Sequence, residues 1–478
     1  EMSASLVGSE MCIRDSSMDY GIVMLHEYRH FKQEGRSSYD AALAGMHKAS
    51  GVIASSAATT FFGFLSLCAM AFLIGADMGV VLAKGIVFSF LSVLFLLPVM
   101  VLLSEKLLQR TAHRKFLPSF DKFAKWCMRL SIPFTLIAAL IVVPAFLGSR
   151  NTEYVYGASG FVEPGSQLYE DTELIEETFN ASGQCAVLVP EGQWGKEKEL
   201  VAALDTLPHV SSITSYVTTV SERIPTDMVP PASLESLISG GYSRIIIATD
   251  LRGESPEAFE LVQRIRDLCQ LYYPDEAKLI GSTVTSYDMS LIVNDDSARV
   301  LFASIIAIGL VLLLMFRSLS IPLILLLTIE SSIWINLAIP YFAGETIQYI
   351  GYLIISAIML GATVDYTIIL TRSYLDKRRV QPKRQAITEA ISRSAITILT
   401  SATILTLCGA FIGLISSNGV IASLGTLIGR GAFIAALNTF LLLPMLFMIF
   451  DRVIEKTTLG THFYKQPYKQ PLEEKAGR

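Results

Sequence analysis

Two Asp-Tyr pairs stand where a carboxylate is costly. Asp365 and Tyr366 lie in "GATVDYTIIL", Gly361 to Leu370, and Asp19 and Tyr20 lie in "SSMDYGIVML", Ser16 to Leu25. Both stretches are otherwise apolar. An ionised aspartate in hydrocarbon costs roughly 2.5–3.5 kcal/mol by insertion scales. Burial disfavours the charged form, so such a carboxyl can take up and release a proton in the neutral range. A phenol beside it can donate a hydrogen bond to the carboxylate and modulate that exchange. Neighbouring helical residues point about 100° apart, so each pair addresses two directions. If the two helices pack together, four polar groups meet in an apolar bundle, which suits a proton or ion site. The alternative is a hydrogen-bonded pair that only locks two helices together.

Other polar residues share that setting. Glu330, in "LLLTIESSIWIN", is a further intramembrane acid that either extends the relay or makes a static polar contact. Lys84 and Arg430, at equivalent positions, either balance the acids or reach the outer interface or contact an exported domain. The hydroxyl-rich stretches "IASSAATT" and "TILTSATILT" allow close helix packing with bonds across helices, or a water wire beside the acids.

The elements that must position these residues are membrane helices. Of 478 residues, 52% are hydrophobic and 17% charged, whereas soluble domains carry about 25% charged residues. Runs such as "VLFASIIAIGLVLLLMF" and "IQYIGYLIISAIMLGATVDYTIIL" approach or exceed the ~20 residues that cross a bilayer. Six such runs follow residue 130. Two more lie near the start, one after His47 ending near Ile74, the other from Gly79 to Leu103. Threading the spans puts every basic cluster on one side, which the positive-inside rule makes cytoplasmic. The clusters are "EYRHFKQEGR", "EKLLQRTAHRKFLPSFDKFAK", Arg317, "LDKRRVQPKR" and the tail.

The long polar segment from Gly148 to Ser297 falls on the opposite side, with 24 acidic residues against 9 basic ones. "CAVLVP" and "YSRIIIATDL" predict strands. "EKELVAALDTL" and "SPEAFELVQRIRDLCQLYY" predict helices, each followed by a strand, "VSSITSYV" and "KLIGSTV". Two strand–helix–strand units suggest a split βαβ module. The linker "RIPTDMVPPASLESLISGG" between them holds a short helix or a mobile loop, and "SGGYSR" is a turn.

The first residues are set aside. "EMCIRDS", Glu10 to Ser16, resembles the translation of a transposon-end adapter used in sequencing libraries, so residues 1–16 are excluded from fold reasoning as an assembly artefact. The remaining chain then begins inside a spanning helix, and is expected not to transport by itself. An internal repeat supports this reading. The two Asp-Tyr pairs are 346 residues apart, and at the same offset Tyr28 meets Tyr374, Ser55 meets Ser401, Thr60 meets Thr406, and Gly63 meets Gly409. Gly79 meets Gly425, Gly85 meets Gly431, and "LLP" recurs at Leu96 and Leu442. Ser17–Glu105 and Ala362–Asp451 therefore read as two copies of one unit, running the same way across the membrane.

With the pairs and the repeat in place, the chain resembles the RND superfamily of ion-driven exporters. "GATVDYTIILTRSY" and "SMDYGIVMLHEYR" resemble its MMPL subfamily, large mycobacterial membrane proteins that export lipids. The resemblance covers Ser17 to about Phe450. It implies a polytopic α-helical membrane protein, a parallel RND-type repeat of helices, with one inserted extracytoplasmic α/β porter-like domain of ferredoxin-like βαβ units. In family terms, 17–105 is the remnant of the first membrane half, from the end of helix 4 through helix 6. A cytoplasmic loop at 106–126 follows, then helix 7 at 127–147, the porter-like domain at 148–297, helices 8 to 12 at 298–450, and a tail at 451–478. Asp365, Tyr366, Asp19 and Tyr20 would form the proton relay, with Glu330 a candidate addition.

The implied function is export of lipidic or amphiphilic compounds across the bacterial cytoplasmic membrane, driven by the proton gradient without a cofactor. The implied partners are a hydrophobic substrate and membrane lipids; a homo-oligomer is compatible, and no nucleic acid is implied. The second class is a non-exporting relative, sterol-sensing or a protein-translocation accessory, on the same helices. A pure sensor does not need two titrating sites at repeat register. No Walker A pattern occurs, which argues against a built-in ATPase. The six cysteines include two exported ones, Cys185 and Cys269, that either pair or stand as separate core thiols, and the histidines show no metal-ligand spacing.

Overall fold

The computed structural model describes residues 2–105, 120–152, 154–157, isolated positions within 167–178, and 183–464 apart from 222, 225, 252, 253, 417, 461 and 462. The side chains of residues 2–16 lie outside the described set, so the excluded segment is seen only as backbone continuous with the first helix. Two compact units arise, one from 1–153, 296–416 and 421–478, the other from 154–295 and 417–420.

The larger unit is helical. Its elements are α1 Met2–Gln33, α2 Ser38–Leu65, α3 Leu73–Leu91, α4 Leu97–Leu103 and α5 Asp121–Arg150. Among the described residues, eight helices are long and apolar enough to cross a membrane. The start of α2 is set by Ser37, whose hydroxyl accepts from the Asp40 amide at 3.1 Å and satisfies one of the helix's orphan donors. That start lies well before the expected His47. A π-helical turn, Ser92–Leu96, joins α3 to α4 just before Pro98. Proline cannot donate to the carbonyl one turn back, so the ladder widens there. α5 begins six residues before the expected 127 and runs three past 147.

The smaller unit holds β1 Gln184–Pro190, α6 Trp194–Asp205, β2 Val210–Thr214, α7 Tyr216–Thr219, α8 Pro231–Leu237, β3 Ile238–Ser239, β4 Tyr242–Thr249, α9 Pro256–Tyr272 and β5 Lys278–Gly281. The strand order is β2-β4-β1-β5, with β3 hairpinned on β4, and the pairs are antiparallel. Two interleaved βαβ units give this order. β4 alternates half-buried and buried positions along its whole length, which is the period-2 signature of one face on a core. The hairpin turn uses Gly240 and Gly241 at φ +61° and +82°, a conformation that only glycine adopts without cost at both central positions.

Two predicted strands stop early. "VSSITSYV" ends at Thr214, because Ser215 closes a capping box with Thr218 and starts α7. "KLIGSTV" ends at Gly281, and Ser282 opens the next helix. The linker between the two units contains the short helix α8.

Cys185 and Cys269 are free and buried in the sheet–helix core. Burial pushes their thiols up, to about 11 and about 12. Glu197 on α6 is 1% exposed. Burial raises its carboxyl above the ordinary range, against weaker opposing effects of Ser243, the Val217 amide and Ser215. Those groups are its polar neighbours, but none closes a bond of hydrogen-bonding geometry with it.

The chain continues through α10 Ser282–Phe316, α11 Ser320–Ala343, α12 Tyr349–Arg378, α13 Lys383–Ile415 and α14 Gly419–Thr457. α10 starts at Ser282 rather than at the expected 298. α11 ends on Gly344 in the left-handed conformation, φ +70°, as helices often do.

Candidate functional site

The helices that carry the two Asp-Tyr pairs are α1 and α12. α1 packs on α2 as α12 packs on α13, and each also crosses to the other copy, α12 on α2 and α1 on α13. The repeat register read from sequence is thus repeated in the packing. Small residues allow the close approach. A Cβ on Gly63 of α2 would lie 3.4 Å from Gly361 Cα, and one on Gly361 would lie 3.1 Å from the Phe64 ring. At the same crossing Thr60 donates its hydroxyl to the Gly361 carbonyl at 3.0 Å.

Asp365 lies one turn after Gly361, on the helix face that meets α2. Tyr366 points a third of a turn away, and its hydroxyl is 3.2 Å from Ser401 Oγ on α13. All four residues are buried: Asp19 and Tyr20 at 3% and 2% exposed, Asp365 and Tyr366 at 2% and 0%. The strongest charged neighbour of the Tyr20 hydroxyl is Asp365 of the other copy, ahead of Asp19 in its own helix. Thr60 and Ser56 of α2 are its nearest hydroxyls, though no bond is closed. Tyr20, Asp365 and the α2 hydroxyls thus lie within electrostatic reach of one another across the two copies. "IASSAATT" faces this cluster through Ser56 and Thr60, and also packs α2 against α12.

Glu330 stands apart. It is buried on α11, and among the described residues neither carboxyl oxygen has a hydrogen-bond partner and no charged group acts on it. Its sequence neighbours bond elsewhere. Asn438 of α14 donates to Ser332 at 2.7 Å and to Ser331 at 3.3 Å. Asn336 donates to the Leu427 carbonyl at 2.9 Å, and Arg430 donates to Asn336 Oδ1 at 2.8 Å and to its carbonyl at 2.9 Å. Arg430 thus ties α14 to α11, a role the sequence reading did not assign, while Lys84 is exposed. Asn336 and Asn438, both fully buried, were visible in apolar runs as amides that need partners.

Sequence reasoning also missed Arg378 and Asp451, which looked like members of a basic loop and a helix end. Among the described residues no cluster of His, Cys, Asp and Glu could hold a metal ion.

With eight helices among the described residues long and apolar enough to cross a membrane, this is a multi-pass membrane protein. The MMPL family profile matches residues 16–130 and 161–465, most of the chain, and the chain belongs to that family. It is 23% identical over 452 residues to the membrane protein ActII-3 of Streptomyces coelicolor, covering 91% of this chain and 56% of that one. It is 26% identical over 267 residues to the sulfolipid-1 exporter MmpL8 of Mycobacterium tuberculosis, covering 53% of this chain and 23% of that protein. The match therefore spans little more than half the length of ActII-3 and under a quarter of MmpL8.

Proposed function

We propose that the protein carrying this chain exports lipidic or amphiphilic molecules across the bacterial cytoplasmic membrane, driven by proton movement through Asp19, Tyr20, Asp365 and Tyr366. The observation that carries this reading is the placement of Tyr20 beside Asp365 of the other copy, with all four side chains out of water. A buried acid that acts electrostatically on a buried phenol across a helix boundary links protonation to the relative position of two helices. Family membership and the likeness to a sulfolipid exporter support a lipid substrate. Under this reading the smaller, acid-rich unit is the exported porter-like domain, and the basic helix ends face the cytoplasm. Glu330, without charged neighbours, acts as a separate protonatable group.

The test is proton-gradient-driven efflux in sealed vesicles. Asp365→Asn keeps the shape and much of the hydrogen bonding but removes the titration. Efflux falls to background at wild-type membrane abundance if the reading holds. Wild-type efflux rejects it in favour of a static helix lock.

A further inference from the structure

The helices α1 and α12 are fastened at their basic ends, nine residues and more beyond the acids, and the fastenings fall at repeat register. Lys32 of α1 pairs with Glu105, just past α4, at 2.9 Å. At the 346-residue offset these positions become Arg378 of α12 and Asp451 of α14, which also pair, with Arg378 Nε donating to Asp451 Oδ1 at 2.9 Å and Nη2 to Oδ2 at 3.0 Å. Tyr28 and Tyr374, another matched pair, lie buried one turn before each cation. An acid at the end of the last helix therefore holds the Asp-Tyr helix of its own copy, twice.

The two clasps are unequal. Lys32 and Glu105 are 35% and 26% exposed, joined through Ser38, which accepts from Lys32 and donates to Glu105. Arg378 and Asp451 are each 10% exposed. Around them Tyr374 donates its hydroxyl to Asp451 Oδ1 at 2.6 Å. Arg378 Nη1 donates to the carbonyls of Gln381 and Tyr464, and the Phe463 ring lies 4.8 Å under the guanidinium. The Tyr464 amide donates back to the Arg378 carbonyl at 3.1 Å. Beyond the pair, Thr457 and Thr458 bond the Ser320 and Ser318 hydroxyls before and at the start of α11. A bidentate guanidinium in this setting is geometrically fixed, whereas a part-exposed ammonium is a point charge open to water and salt.

We propose that Lys32–Glu105 and Arg378–Asp451 are equivalent positioning pairs, the second a permanent anchor of α12 and the first a releasable clasp that lets α1 move against it. The proposal rests on the export reading, in which protonation changes how α1 and α12 sit together. It makes α1 the mobile arm and α12 the fixed one.

The test is amide hydrogen exchange on the intact protein in lipid nanodiscs, at low and high salt, with efflux measured in parallel. Salt screens exposed charges beyond a Debye length of about 3 Å at 1 M, and buried pairs far less. In high salt, or in Glu105→Gln, the amides of 25–33 exchange about two- to fivefold faster, the range expected for loss of an exposed pair. The amides of 370–378 stay unchanged in both conditions. Efflux falls in Glu105→Gln, and the charge-swapped pair Lys32→Glu with Glu105→Lys restores both exchange and efflux. Equal response of both helix ends, response of neither, or wild-type efflux in Glu105→Gln overturns the proposal. Those outcomes leave the export reading standing, because its own test is efflux in Asp365→Asn.

Discussion

The two repeat copies share a plan and differ in how tightly it is executed. In the second copy the last helix, α14, runs unbroken through Pro444 from Gly419 to Thr457. In the first copy the matching "LLP" sits at a π-helical turn that separates α3 from α4. One matched glycine pair diverges in the same sense, while Gly79 and Gly425 are equally close-packed, a Cβ meeting Phe64 O at 2.8 Å and Ile412 Cγ2 at 2.7 Å. A Cβ on Gly409 would lie 2.5 Å from the Gly425 carbonyl oxygen and 2.6 Å from Gly429 Cα, whereas on Gly63 the nearest atoms are 3.2 and 3.4 Å away. At the last helix and at the Gly409 crossing the second copy is the tighter of the two.

Several substitutions break or sharpen this comparison. The largest effect falls on both copies alike: Asp19→Asn should abolish gradient-driven efflux as Asp365→Asn does, if the two acids serve one relay. Retained efflux in one of them would show the copies to be chemically unequal as well as mechanically so. Next comes Arg378→Met, which leaves the buried Asp451 carboxylate without its partner and should destabilise the protein by about 3–5 kcal/mol. Lys32→Met should cost about 0–1 kcal/mol. Membrane abundance and thermal aggregation of the two variants check the contrast. Gly409→Ala should cost about 1–3 kcal/mol through overpacking, and Gly63→Ala distinctly less, by the same assay. Tyr366→Phe removes the contact with Ser401 and should weaken efflux modestly, since a single hydrogen bond is worth about 1 kcal/mol.

The smaller unit supplies a pH control outside both copies. Burial raises the Glu197 carboxyl, so the folded state holds that proton more tightly than the unfolded chain does. Its contribution to stability is full below the unfolded value, about 4.3, and is lost as pH rises through the folded one. Exchange of the β4 amides should therefore quicken as pH rises through that window, beyond the intrinsic pH dependence, and Glu197→Gln should remove the excess.

Much of this was legible in the residues. The paired Asp-Tyr sites, the 346-residue offset and the helix-period apolar runs determined which helices had to meet, because a buried acid demands company and a repeat demands matched packing. The βαβ units were legible from alternation in "YSRIIIATDL". Boundaries were less so. Ser215 and Ser282 end strands by starting helices, and a capping hydroxyl two residues past an apolar run looks like more strand. The clasps were hidden for a different reason. Arg378 sits among "DKRRV", where nothing distinguishes the one guanidinium that turns inward, and Lys32 was one cation in a basic loop. Only the acids at 105 and 451, matched at the repeat offset, carried the signal. Asn336 and Asn438 carried a signal too, but not the identity of their partners on a helix about 100 residues away in sequence.

The central claim is that protonation at Asp365 is felt across the copy boundary through Tyr20. Infrared difference spectra of the carboxyl stretch, taken between acidic and alkaline pH on the protein in lipid, test it most directly. The account predicts a titrating carboxyl band that disappears in Asp365→Asn and is displaced, in frequency and midpoint, by Tyr20→Phe. A band that Tyr20→Phe leaves where it was would contradict the account.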